Sequence, residues 1–139
     1  MILALSIFAA LFLILWGVRR YVVSVNYINS GSMEPPPLIG DIVLGKHWGV
    51  EAKRGDIVLF KHEGKRCIKR LAGAMGDKMA MHGGRLCIVP SKHFFLLGDN
   101  REASMDSRFY GPIPQSEVLG IAIAVLGNIK DKKRGTIKL

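Results

Sequence analysis

Residues 1–18 carry no charged side chain, and the chain beyond them breaks into short apolar runs separated by glycine, proline and charge. A helix over the first run would reach about 27 Å, close to the ~30 Å hydrocarbon core of a bilayer. Trp16, Arg19, Arg20 and Tyr21 follow as interfacial anchors would. A cleaved leader fits less well, because the start lacks positive charge and no small-x-small site follows. The pattern predicts a retained transmembrane helix, with residues 1–20 as the anchor. Beyond it the periods are short. Residues 21–29 are β-branched and aromatic, as strands are. Gly40-Asp-Ile-Val-Leu-Gly-Lys-His47 is echoed by Gly55-Asp-Ile-Val-Leu-Phe-Lys-His62, an offset of 15 residues (55 − 40). Two copies are too few for a solenoid, so they read as two Gly-Asp turns that each launch a strand.

Further strands are predicted at 67–71, 78–81, 85–89, 94–97 and 118–126, with Gly83-Gly84 as a hairpin turn between two of them. No segment after the anchor shows a long 3.6-residue period. The expected fold is mainly β: a small antiparallel β-domain over 21–126 behind one N-terminal transmembrane helix, with a basic tail over 127–139. A length of 139 residues leaves room for one such domain.

The net charge of +9 is diffuse except in the tail, at Lys130, Asp131, Lys132, Lys133, Arg134 and Lys138. Attraction to anionic headgroups is one reading of that tail, and a solvated end is the other. No zinc spacing, helix-turn-helix pattern or stacking-aromatic motif accompanies the charge, so nucleic acid is not an expected partner. Cys67 and Cys87 lack a metal-binding framework and read as two separate thiols, with a disulfide the alternative in an oxidising compartment. His47 and His62 end the two echoed strands, but equivalent ends need not be adjacent in space.

Candidate chemistry lies in Ser30-Gly31-Ser32-Met33 and in Lys69, which sits in the strand-like Cys67-Ile68-Lys69-Arg70-Leu71. A serine is a weak nucleophile until a base takes its proton, and a lysine kept neutral by burial can be that base. Arg70 should face away from Lys69 along a strand and cannot deprotonate. Pro35-Pro36-Pro37 is stiff and lacks donors, so it reads either as a surface turn or as a wall beside Ser32.

Four segments, in order, resemble type I signal peptidase, a membrane-bound Ser/Lys protease family. They are Ser30-Gly31-Ser32-Met33-Glu34-Pro35; Arg54-Gly55-Asp56-Ile57-Val58; Ile68-Lys69-Arg70 with Gly73, Gly76 and Asp77; and Gly98-Asp99-Asn100-Arg101 with Ser104, Asp106, Ser107, Arg108 and Gly111. Pro36-Pro37 and Met75 depart from the pattern, and the span between Asp77 and Gly98 is short. The resemblance implies a signal-peptidase/LexA-like β-fold and an endopeptidase that removes signal peptides from exported preproteins. It assigns Ser32 as nucleophile, Lys69 as base, and the Ser30 hydroxyl with the Ser32 N–H as the oxyanion hole. It implies that Ser104 hydrogen-bonds the Lys69 amine, supported by Asp106 and Arg108, and that no cofactor or metal is used. A carboxylate on Lys69 would raise its pKa, so Asp106 is expected to pair with Arg108. The implied location is a bacterial-type inner membrane, single-pass, with the domain on the outer face. The Arg19-Arg20 pair after the span argues for the opposite orientation. A related conjugative-transfer protease that trims or cyclises a pilin is the alternative enzyme. A non-catalytic membrane-anchored β-module is the alternative of another class. A LexA-type repressor would need a DNA-binding domain for which there is no room.

Overall fold

The computed structural model describes residues 2–21, 23–34, 39–47, 49, 51–127 and 137–138. The three prolines 35–37 and the charged tail segment 130–134 lie outside the described residues, so the expectations placed on them are not addressed by the structure. The chain opens with helix α1 (Ile2–Tyr21), whose side chains at 3–16 are exposed, Leu3, Phe8, Phe12 and Leu15 among them. Among the described residues no helix is long and apolar enough to cross a membrane. An exposed apolar helix is therefore what stands of the expected span.

The rest is antiparallel β-structure. The strands are β1 (Val23–Tyr27), β2 (Ile42–Lys46), β3 (Ile57–His62), β4 (Lys65–Gly73), β5 (Lys78–Ala80), β6 (Leu86–Ile88), β7 (His93–Leu97), β8 (Ile113–Pro114), β9 (Val118–Leu126) and β10 (Ile137–Lys138). A four-residue helix, α2 (Ser107–Tyr110), precedes β8. The main sheet runs β1-β2-β9-β3-β4-β7-β8, with β10 also on β9, while β5 and β6 form a separate hairpin. Gly83 and Gly84, with φ of 79° and 77°, turn that hairpin in the left-handed region that side chains avoid. β10 falls within the segment expected to be tail, and it pairs Ile137 with Val125.

Strand β3 explains the core. Ile57-Val58-Leu59-Phe60 is a continuous apolar run because the strand is central and covered on both faces. Ile57 and Leu59 pack with Ile28, Met33, Val43, Ala122 and Val125. Val58 and Phe60 pack with Leu71, Leu96 and Ile113 on the other side. Register shifts at Leu44/Gly45, Leu59/Phe60 and Leu71/Gly73 bend the sheet. Gly45 sits where a Cβ would come within 2.8 Å of Ser24 Oγ and 2.9 Å of Leu59 Cδ1.

Strand β4 is covered unevenly. Residues 65–70 pair with β3, but β7 takes the opposite edge only from Arg70 onward. Among the described residues the outer edge of 65–69 is unpaired, and so is the outer edge of β1.

Candidate active site

Ser32 lies in a single 3-10 turn, Gly31–Met33, directly after β1 and the extended Ser30. Met33 is fully buried in the core and pins this turn to the sheet. The Ser32 carbonyl accepts from the Asn100 N–H at 3.1 Å, which ties the turn to the loop after β7. Space is tight at Gly31: a Cβ there would lie 3.1 Å from the Glu34 carboxyl carbon, so that side chain would have to shift.

Lys69 projects from β4 on the face it shares with its partner Val58 and with Cys67. Its Nζ donates to Ser32 Oγ at 2.5 Å, and both residues are buried. Ser30 Oγ lies 3.4 Å from Ser32 Oγ. Burial pushes the Lys69 pKa down, opposed by Cys67, Asp106 and Asp99. The Cys67 thiol is pushed up by burial, with Lys69 and Lys65 pulling it down. Cys67 and Cys87 are both free thiols.

Two ion pairs brace the neighbourhood. Arg70, next to Lys69, grips Asp99 with Nε to Oδ1 at 2.8 Å and Nη2 to Oδ2 at 2.5 Å, and donates to the Gly55 carbonyl at 2.7 Å. Asp106 is fully buried and accepts from Arg108 Nε at 2.8 Å, Arg108 Nη2 at 3.0 Å and the Gly98 N–H at 3.0 Å. Burial opposes the Asp106 charge, yet Arg108 and the backbone donors hold its pKa below the usual carboxylate range.

Ser104 departs from expectation. It is buried, but its Oγ makes no hydrogen bond, and none joins it to the Lys69 amine. The amine is engaged by Ser32, and the Ser104 hydroxyl is pressed against the Cα of Gly98, where a Cβ would collide with it and with the Ser32 carbonyl. Ser104 also lies close enough to Asp106 to help lower that carboxylate, without the geometry of a full hydrogen bond. His47 and His62 are not brought together in a metal cluster among the described residues. His47 Nδ1 hydrogen-bonds the Leu119 carbonyl, and His62 packs on Tyr110 with ring centroids 4.2 Å apart.

A groove of about 600 Å³ opens beside the pair. Residues 25–30 form one wall, 65–69 the other, and Leu59, Leu119 and His47 complete it. Its walls are thus the two unpaired strand edges. Sequence reasoning marked His47 only as the end of an echoed strand and did not place it in this groove. It also missed the Asn100 N–H, although Asn100 lies within the last of the four segments that carry the resemblance.

The family model described as "Signal peptidase, peptidase S26" matches residues 1–89 and 87–126. The chain belongs to this family. Membership makes it a serine peptidase. Among its relatives, mitochondrial ATP-independent inner membrane protease subunit 1a of Arabidopsis thaliana is 33% identical over 132 residues, covering 85% of this chain and 79% of its own. Signal peptidase I of Leptolyngbya laminosa is 29% identical over 142 residues, covering 77% and 70%. Mitochondrial inner membrane protease subunit 1 of Mus musculus is 37% identical over 114 residues, covering 73% and 68%. A crystal structure of a signal peptidase I from Enterococcus faecalis aligns with 52% of this chain and 97% of its own at 24% identity and a TM-score of 0.45, a likeness too partial to carry an argument.

Proposed function

We propose that this S26 peptidase is a membrane-anchored endopeptidase that removes signal peptides from exported preproteins with a Ser32/Lys69 dyad. The observation that carries the reading is the buried Lys69 amine, its pKa lowered by desolvation, hydrogen-bonded to Ser32 Oγ. In its neutral form the amine has a lone pair that accepts the Ser32 proton as Oγ attacks the scissile carbonyl. The Ser32 N–H and the Ser30 hydroxyl stabilise the oxyanion. The amine then protonates the leaving nitrogen, and water, deprotonated by the same lysine, hydrolyses the acyl-enzyme. Asp106 with Arg108, and Ser104, support this loop, and Asn100 holds the Ser32 carbonyl.

The groove suits an extended peptide. A strand inserted between β1 and the free edge of 65–69 would satisfy both edges by β-augmentation. The family resemblance implies small residues at the first and third positions before the bond. The exposed apolar side chains of α1 support its seating in a bilayer, and the family resemblance implies that the domain lies on the outer face of a bacterial-type inner membrane. A substrate held in the same bilayer meets the groove at raised effective concentration.

The test is cleavage of a preprotein by the full chain in lipid vesicles, with product masses measured. Hydrolysis adds one water to the summed products, whereas pilin cyclisation does not. An uncleaved preprotein, or a cyclised product, would sink this reading. Protease accessibility in spheroplasts should find the domain digested without lysis.

The pH dependence follows from the base. Only neutral Lys69 is active, so kcat/KM should rise with pH through the lowered lysine pKa. Its midpoint should lie below the ~10.4 of an ordinary lysine. A rate independent of pH across the neutral and alkaline range would contradict the assignment.

A further inference from the structure

The groove is electrostatically one-sided. Lys65 and Arg66 lie in its wall and are exposed, and neither makes an ion pair among the described residues. No aspartate or glutamate is among the described residues lining it. Lys61, opposite Arg66 in the β3–β4 ladder, adds a third exposed cation beside them. The nearest carboxylate in sequence, Glu63, is exposed in the turn at φ 47° and likewise makes no ion pair among the described residues.

We propose that Lys65 and Arg66 form a distal subsite that selects an acidic side chain in the peptide, four to five residues before the scissile bond. This rests on the peptidase reading above. Strand geometry sets the distance. Lys65 precedes Lys69 by four residues, about 13 Å at ~3.3 Å per residue. A peptide paired with the free edge keeps pace residue for residue. The site opposite Lys65 is therefore about four residues from the site opposite Lys69. The groove extends in this direction alone, because β7 occupies the edge from Arg70 onward. Lys65 shares a strand face with Cys67 and Lys69, whereas Arg66 shares the other with Ile68. A carboxylate at either of two successive peptide positions thus meets a cation. A basic residue there meets like charge in a partly desolvated groove, which penalises the wrong substrate as much as it favours the right one.

The experiment uses the full chain in non-ionic detergent and three soluble peptides that differ only at the fifth residue before the bond: Glu, Gln or Lys. The expected order of kcat/KM is Glu above Gln above Lys, with about a tenfold spread at low salt that shrinks as salt is raised. The double variant Lys65→Glu, Arg66→Glu should reverse that order, a ratio read within one protein and so independent of its overall activity. Peptides cleaved at equal rates would overturn the subsite and leave the peptidase reading standing. The same flat series, with the double variant losing binding to vesicles of anionic lipid, would assign the cations to a membrane surface and overturn the proposal. If neither the peptides nor the preprotein were cleaved, both readings would fall together.

Discussion

Replacing Lys69 with methionine should abolish proteolysis, by on the order of ten-thousandfold or more, while the protein stays folded. Methionine keeps much of the length and apolar body of the side chain and removes the amine. The amine is buried and held at lowered pKa by desolvation, so its loss costs the fold little. Ser32→Ala should be equally inactive, and the double variant no worse than either single one. Non-additivity is the signature of two groups that act as one unit. Lys69→Arg should fail too, because a guanidinium does not release its proton at these pH values. Initial rates on a fluorogenic peptide, with thermal melting as the control for folding, provide the check. Near-normal turnover by any of these variants would remove Lys69 or Ser32 from the chemistry.

The second large effect concerns stability. Asp106→Asn should cost about 3 kcal/mol, the lower end of what breaking a buried ion pair costs, because Arg108 retains some contact with water. The asparagine also brings an amide NH2 where Arg108 and the Gly98 N–H both donate. The deficit should depend on pH with a definite sign. The folded-state pKa of Asp106 is lowered, so its charge stabilises the native state above the unfolded pKa of about 3.9. That contribution disappears as pH falls through the folded value. Denaturant titrations at neutral and strongly acidic pH should show the two proteins diverging at the first and converging at the second. Equal stability at neutral pH would mean that the Arg108 pair contributes nothing.

Local chemistry made the strand positions legible. Gly40 and Gly55 both adopt positive φ at the turns that launch β2 and β3, which is what the echoed Gly-Asp pairs suggest. The run Ile57-Val58-Leu59-Phe60 announces a strand buried on both faces, and β3 is one. Strand order was not legible. β9 inserts between β2 and β3, and no short segment encodes a partner more than fifty residues away. Curvature was equally hidden, since it arises from three register shifts in paired strands. In the candidate site, residue types pointed to Ser32 and Lys69, but the orientation of the Ser104 hydroxyl depends on how tightly it packs against Gly98. His47, just after β2, lines the groove beside the Leu119 carbonyl, a neighbour 72 residues away that its local sequence does not encode.

The unpaired edge of 65–69 has a second consequence, for solubility. A strand edge that accepts a peptide also accepts the edge of another copy, the usual start of edge-to-edge aggregation. In-register parallel stacking would set Lys65 against Lys65 and Arg66 against Arg66. Like charges placed directly opposite oppose this arrangement. The two cations that decorate the groove thus also act as gatekeepers, keeping an open edge available to substrate without letting it polymerise.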